Sequence, residues 1–195
     1  MSSFFLFSRN PVLVPSRRAF LGRSGTLLSA SAVALLAGCE SLAASSAKGG
    51  DGAGDVAILN TALGAELEAV AAYQLGVDSG LLEPAVRGVA VKFQGHHKEH
   101  AEVLAGTVHK LGGNPVEAKP RYDFPLENLK SQTDVLRFAA QLEKGAVSAY
   151  LGAVPVFTNR DLSKAAASIL GDEAMHWAVL RQALGEDPVP SAFVS

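Results

Sequence analysis

Cysteine is almost missing from this sequence: Cys39 is the only one in 195 residues. A lone thiol excludes a disulfide framework and a thiolate-rich metal site. Acidic residues are missing before Glu40, while the same stretch carries Arg9, Arg17, Arg18 and Arg23. The apolar run at residues 27–37 is broken by Ser29 and Ser31. It falls far short of the roughly 20 residues a membrane-spanning helix needs. What is plentiful is apolar content, 48% of the chain, enough for one sizeable core and no second domain.

A basic start, a short apolar run and then a cysteine is the order of an export signal. Ser16-Arg17-Arg18-Ala19-Phe20-Leu21-Gly22 resembles the twin-arginine translocation motif, and Leu36-Ala37-Gly38-Cys39 resembles a bacterial lipobox. The resemblance implies a signal peptide at residues 1–38, the twin-arginine export machinery as a partner, and a lipid anchor on Cys39. The expected location is the periplasmic side of the cell envelope. Glu40 after the lipidated cysteine points to the outer membrane in a Gram-negative cell. Removing residues 1–38 takes four of the 17 basic residues and leaves 13 against 19 acidic ones, a formal charge of −6. Such a surface excludes nucleic acid as a partner. Residues 39–55, rich in Ala, Ser and Gly, predict a flexible tether.

Beyond the tether the periodicity predicts four helices and an all-α domain over residues 56–185, followed by a tail at 186–195. The first helix spans residues 56–77, where Leu59, Leu63, Val70, Tyr73 and Val77 form an apolar row interrupted by Glu66. The second spans 84–111, opening on Pro84 and closing at Gly112-Gly113-Asn114-Pro115. The third starts with Thr133 or Asp134 as its cap and runs to 154, before Pro155; the fourth spans 161–184. The connection between the second and third helices, about 15 residues with Pro120 and Pro125, is unusually long for a compact domain. Nearly extended, it covers roughly 50 Å, more than the roughly 36 Å of a 24-residue helix. It can therefore travel the length of a bundle and set the second and third helices parallel.

The two halves repeat. Glu66-Leu-Glu-Ala-Val-Ala-Ala-Tyr73 returns 77 residues later as Glu143-Lys-Gly-Ala-Val-Ser-Ala-Tyr150. His97-Lys-Glu-His100 returns 76 residues later as Glu173-Ala-Met-His176. Glu66 and Glu143 each sit in an apolar seam, and a buried carboxylate needs a counter-charge. Residues three apart share a helix face, so Glu173 and His176 can reach one cation, as can His97 and His100. His96 is a further candidate. His109, Glu68, Glu99 and Glu102 point off the seam, and Trp177 reads as core packing.

This set resembles the ferritin-like superfamily, in which two helices each give a Glu and two each give a Glu-x-x-His pair to a di-iron or di-manganese centre. The resemblance covers about residues 56–184 and implies a four-helix bundle with a long crossover. Carried over residue by residue, it implies metal ligation by Glu66, His97, His100, Glu143, Glu173 and His176. Tyr73 and Tyr150 become hydrogen-bond partners of the ligands or short-range electron donors. Iron is the implied cofactor, with manganese or zinc as alternatives, and the implied chemistry is oxidase or peroxide handling. The departure is His97, which stands where the superfamily places a bridging Glu. Three carboxylates and three imidazoles replace four and two, so a mononuclear site or an unequal pair stays open. The alternative reading is a non-enzymatic envelope lipoprotein that uses the fold for binding or scaffolding. A homo-oligomer is compatible with either.

Overall fold

The computed structural model describes residues 51–194. The twin-arginine pair Arg17–Arg18, Cys39 and the rest of the signal and lipobox lie outside these residues. Among the described residues, four helices and one short 3-10 turn make up the regular structure: α1 Asp51–Asp78, α2 Pro84–Lys110, the turn Leu126–Asn128, α3 Gln132–Ala153 and α4 Arg160–Ala183. The expected all-α class and four-helix architecture are what the described residues form.

Helix directions follow from three side-chain pairings. Gln94 of α2 bonds to Val70 and Gln74 of α1, as expected for an antiparallel hairpin. Tyr73 pairs with Glu143 while Tyr150 pairs with Glu66, so α1 and α3 run antiparallel. The start of α2 meets the start of α3 where Gln132 Oε1 accepts from Glu83 N at 2.8 Å. Helices α2 and α3 are therefore parallel, and the connection between them is the long crossover of a ferritin-like bundle. Asn60 clips its beginning to α1, donating to Asn114 O at 2.9 Å and accepting from Val116 N at 2.9 Å. Gly112 turns the chain out of α2 with φ +78°. A Cβ on Gly113 would meet Val56 Cγ1 at 2.6 Å, so the chain passes α1 where only glycine fits.

Two boundaries differ from the sequence reading. The cap of α3 is Ser131, whose Oγ accepts from Asp134 N at 3.2 Å and donates to Asp134 Oδ2 at 2.7 Å. Thr133 and Asp134 lie inside the helix, because Ser131, two and three residues before them, caps it through this two-way bond with Asp134. Helix α1 begins at Asp51, inside the segment read as a tether. The reason is Asp55, only 3% exposed. Its carboxylate accepts from Thr158 N at 2.9 Å, Thr158 Oγ1 at 2.8 Å and Asn159 N at 3.1 Å. That anchor fixes the first turns of α1 to the α3–α4 connection, overriding the poor helix propensity of Gly52 and Gly54.

The core is built as two apolar plugs with a polar layer between them. One plug joins Leu59, Leu63, Leu104, Val108, Phe157 and Ile169; the other joins Val77, Ala90, Phe93, Leu136, Ala140 and Leu180. Each helix runs from one plug to the other. In crossing the middle, each delivers its Glu or His residues to the same level.

Candidate metal centre

At that level stand Glu66 of α1, His97 and His100 of α2, Glu143 of α3, and Glu173 and His176 of α4. All but His100 are buried, with Glu173 at 0% and Glu143 at 1% exposure. The six residues singled out by sequence are thus brought together from four helices. Their nitrogen and oxygen atoms form two overlapping quartets, Glu66–His97–His100–Glu173 and His97–Glu143–Glu173–His176. Within each, one ligand atom per residue lies within 4.8 Å of the others.

Glu173 and His97 belong to both quartets, and each turns one end to each half. Glu173 Oε1 lies 3.1 Å from His100 Nδ1, and Glu173 Oε2 lies 3.6 Å from His176 Nδ1. His97 Nδ1 lies 2.8 Å from Glu66 Oε2, and its Nε2 lies 3.3 Å from Glu143 Oε1. Glu143 Oε1 also stands 3.4 Å from His176 Nδ1.

The tyrosines complete a reciprocal exchange. Seven residues after Glu66, Tyr73 donates its hydroxyl to Glu143; seven residues after Glu143, Tyr150 donates to Glu66 Oε1 at 2.5 Å. Burial and the facing carboxylates push both phenols well above the ordinary tyrosine range, so they remain protonated donors.

Electrostatics in the layer oppose desolvation with pairing. Burial favours neutral imidazole at His97, yet hydrogen bonds to Glu143 and Glu66 and the surrounding carboxylates raise it to about 10. The same balance, with Glu173 as a partner of both, raises His100 and His176 to about 9. Burial raises Glu66 and Glu143, but hydrogen bonds from the imidazoles outweigh it and hold both below the usual carboxylate value.

Pairing still leaves atoms over. His100 Nδ1, Glu143 Oε2, both oxygens of Glu173 and His176 Nδ1 are buried without a well-aligned hydrogen bond, and Glu173 meets the two imidazoles only as ion pairs, at 3.1 Å to His100 Nδ1 and 3.6 Å to His176 Nδ1. Buried polar atoms are almost always satisfied, and orphans converging from α2, α3 and α4 fit cations that accept their lone pairs, one in each quartet. The donor set of carboxylate and imidazole suits iron, manganese or zinc.

Sequence reasoning missed Asp172. It sits beside Glu173 but points to the rim of the layer, where its Oδ2 meets His96 Nδ1 at 2.9 Å and His176 Nε2 at 3.2 Å. Its signal was its place four residues before His176, one helical turn away. His96, named only as an extra candidate, lies at this rim. His109, Glu99 and Glu102 are exposed and Glu68 is half-buried, none of them in the layer. Trp177 is partly buried against the second plug.

Four antiparallel and parallel helices that converge carboxylates and imidazoles on a buried layer define a four-helix carboxylate–histidine protein. Residues 54–186 match the ferritin-like domain, and the chain belongs to that family. Among solved structures it is similar to a conserved hypothetical protein, rv2844, from Mycobacterium tuberculosis. The identity is 24% and the TM-score 0.64, over 74% of this chain and 99% of that one. It is also similar to ferritin-like, diiron-carboxylate proteins from Bacillus anthracis, with 20% identity and a TM-score of 0.61, over 70% of this chain and 99% of that one. At these identities the likeness concerns the fold. No curated protein matches the chain.

Proposed function

We propose that the polar layer binds a transition-metal ion, redox-active iron in the first place with manganese or redox-inert zinc as alternatives, and that the two halves bind unequally. The observation that carries this is Glu173, fully buried, with neither oxygen in a well-aligned hydrogen bond and one oxygen turned to each half. A carboxylate so placed can give one oxygen to a cation in each half, adding to the compensation that the facing imidazoles His100 and His176 offer its burial.

Inequality follows from His97. Its Nδ1 is close enough to Glu66 Oε2, 2.8 Å, to be the protonated nitrogen. A neutral imidazole then has one lone pair, on Nε2, facing the Glu143 half. Glu143, Glu173, His176 and His97 make a complete quartet, leaving Glu66, His100 and Glu173 for a weaker position. Bound there, a redox metal supplies one-electron chemistry toward dioxygen or peroxide. The chain's own contribution is to hold its carboxylates through Tyr73 and Tyr150, to exclude water with the two apolar plugs, and to leave partly exposed His100 as the side of access.

Loading the full chain with ferrous iron without air, desalting it and measuring the metal retained tests the proposal. About one tightly held ion per chain is expected, with weaker binding of a second. The Glu173→Ala variant should retain neither. Ultraviolet absorption on admitting air reports oxidation. A wild-type chain that emerges from desalting without metal sinks the reading.

One observation favours the alternative, a metal-free scaffold. With all three imidazoles protonated, their charge balances that of Glu66, Glu143 and Glu173. On that reading chelators leave stability and binding to partners unchanged.

The site of action is part of the proposal. The Arg17–Arg18 motif and the lipobox at Cys39 support export in the folded state and a lipid anchor at the cell envelope. Changing both arginines to Lys should block export, and Cys39→Ala should abolish labelling by a fatty-acid analogue. Export and sedimentation unaffected by these changes contradict it.

A further inference from the structure

His96 and Asp172 lie outside the two quartets, and with His176 they form a tight triangle. His96 Nδ1 stands 2.9 Å from Asp172 Oδ2 and 2.9 Å from His176 Nε2, and the third edge, His176 Nε2 to Asp172 Oδ2, is 3.2 Å. Every edge is of hydrogen-bonding length.

No distribution of protons satisfies all three edges. A hydrogen bond needs a proton on one of its two atoms and a lone pair on the other. Around a triangle that alternation cannot close. If His96 Nδ1 alone is protonated, His176 Nε2 and Asp172 Oδ2 oppose lone pairs. If both nitrogens are protonated, their hydrogens collide along the nitrogen–nitrogen edge. A cation relieves all three edges at once, because each atom then turns its lone pair to a common centre.

The dimensions suit one. Adjacent ligands of an octahedral ion bonded at about 2.1 Å stand about 3.0 Å apart, so the triangle has the size of one face of such a shell. Two imidazoles and one carboxylate on a face, with the remaining positions open, is a donor set for divalent iron and its neighbours. The open side is wet: the side chains of His96 and Asp172 are 32% and 22% exposed, whereas His176 is 2% exposed. His100 Nε2 approaches the same Asp172 oxygen at 3.5 Å.

His176 couples this rim to the layer. Its Nε2 faces the triangle while its Nδ1 faces Glu143 and Glu173. Having one lone pair, neutral His176 serves either side but not both together.

We propose that His96, Asp172 and His176 Nε2 form a capture site for a divalent transition-metal ion at the wet rim of the polar layer, on its way inward. The inference rests on the metal-binding reading above.

Cobalt(II) is the probe, since its visible bands report loading and its anomalous scattering locates it. In crystals of the full chain soaked with cobalt, density is expected within the His96–Asp172–His176 triangle as well as in the polar layer. In solution, His96→Ala and Asp172→Asn should slow filling of the layer about tenfold while final occupancy of the Glu143 half persists. Asp172→Asn preserves shape, so slowing there is not a folding defect. Cobalt in the layer with none in the triangle and unchanged rates overturns the capture site alone. Cobalt in the triangle with none in the layer overturns the functional reading and the role of the triangle as a way into the layer.

Discussion

Tyr150 and Glu66 lie on different helices, 84 residues apart in sequence, and their side chains meet at 2.5 Å in the middle of the bundle. The mirror contact joins Tyr73 to Glu143. Both follow from one rule: on antiparallel helices, a Tyr seven residues beyond each Glu reaches back to the other helix's Glu. The phenols can be neutral donors only, so each holds a carboxylate in place without competing for its charge.

Removing that donor should therefore weaken the bundle. Tyr150→Phe deletes a hydrogen bond to a charged, buried acceptor, and the expected loss is about 1.5–3 kcal/mol. Urea unfolding of the chelated protein measures it. A loss near zero indicates that Glu66 is held by His97 and His100 alone.

The metal-free protein should lose stability as alkali is added. His97, His100 and His176 are raised in the folded state from the ordinary 6.5 to about 10, 9 and 9. Their stabilising contribution is complete below about pH 6.5 and disappears as pH rises through about 9 to 10. Glu66 and Glu143 are lowered from 4.5, so their contribution is present above that value and fades as pH falls beneath it. Melting temperature in chelator should peak between about pH 4.5 and 6.5. Metal needs the imidazoles unprotonated, so added manganese should stabilise increasingly from pH 6.5 upward. A chelated protein whose melting temperature is level from pH 6.5 to 10 contradicts the imidazole–carboxylate pairing.

Asp55 is predicted to matter more than its place at the edge of a Gly-rich segment indicates. Asp55→Ala removes three hydrogen bonds to the α3–α4 connection. The expected cost is about 2–4 kcal/mol, with hydrogen exchange rising first in the opening turns of α1 and α4. If exchange there is unaltered, the anchor is dispensable.

These sites differ in how plainly the sequence announces them. Glu66 and Glu143 were legible because each breaks an apolar row at helical spacing, and Glu173–His176 because three residues make most of a turn. The crossover was legible from its length and prolines. Asp55 was not, since its partners Thr158 and Asn159 lie over 100 residues away and local composition argued for a tether. Asp172 was hidden beside Glu173, one position off the inward face; only the convergence of α2 on α4 shows that His96 fills the rim against it. Ser131 was passed over in favour of Thr133 and Asp134, although Asp134 is the partner that makes Ser131 the cap.

His97→Glu is the most discriminating change. It restores a fourth carboxylate where the family pattern places a bridge, and its two expected effects have opposite signs. Without metal, the layer loses the imidazole that pairs with Glu66 and Glu143 and gains a buried negative charge. Breaking a buried pair in this way costs about 3–5 kcal/mol, so the chelated variant should melt far below wild type or lose its cooperative transition. With metal, the added carboxylate can offer one oxygen to each half, as the imidazole cannot. A second ion should then bind about as tightly as the first, and the loaded variant should recover most of its lost stability. Metal titration followed by calorimetry reads both effects on one sample. Should the variant bind no more metal than wild type while remaining as stable in chelator, His97 is not the residue that makes the two halves unequal, and the layer's charge balance lies elsewhere.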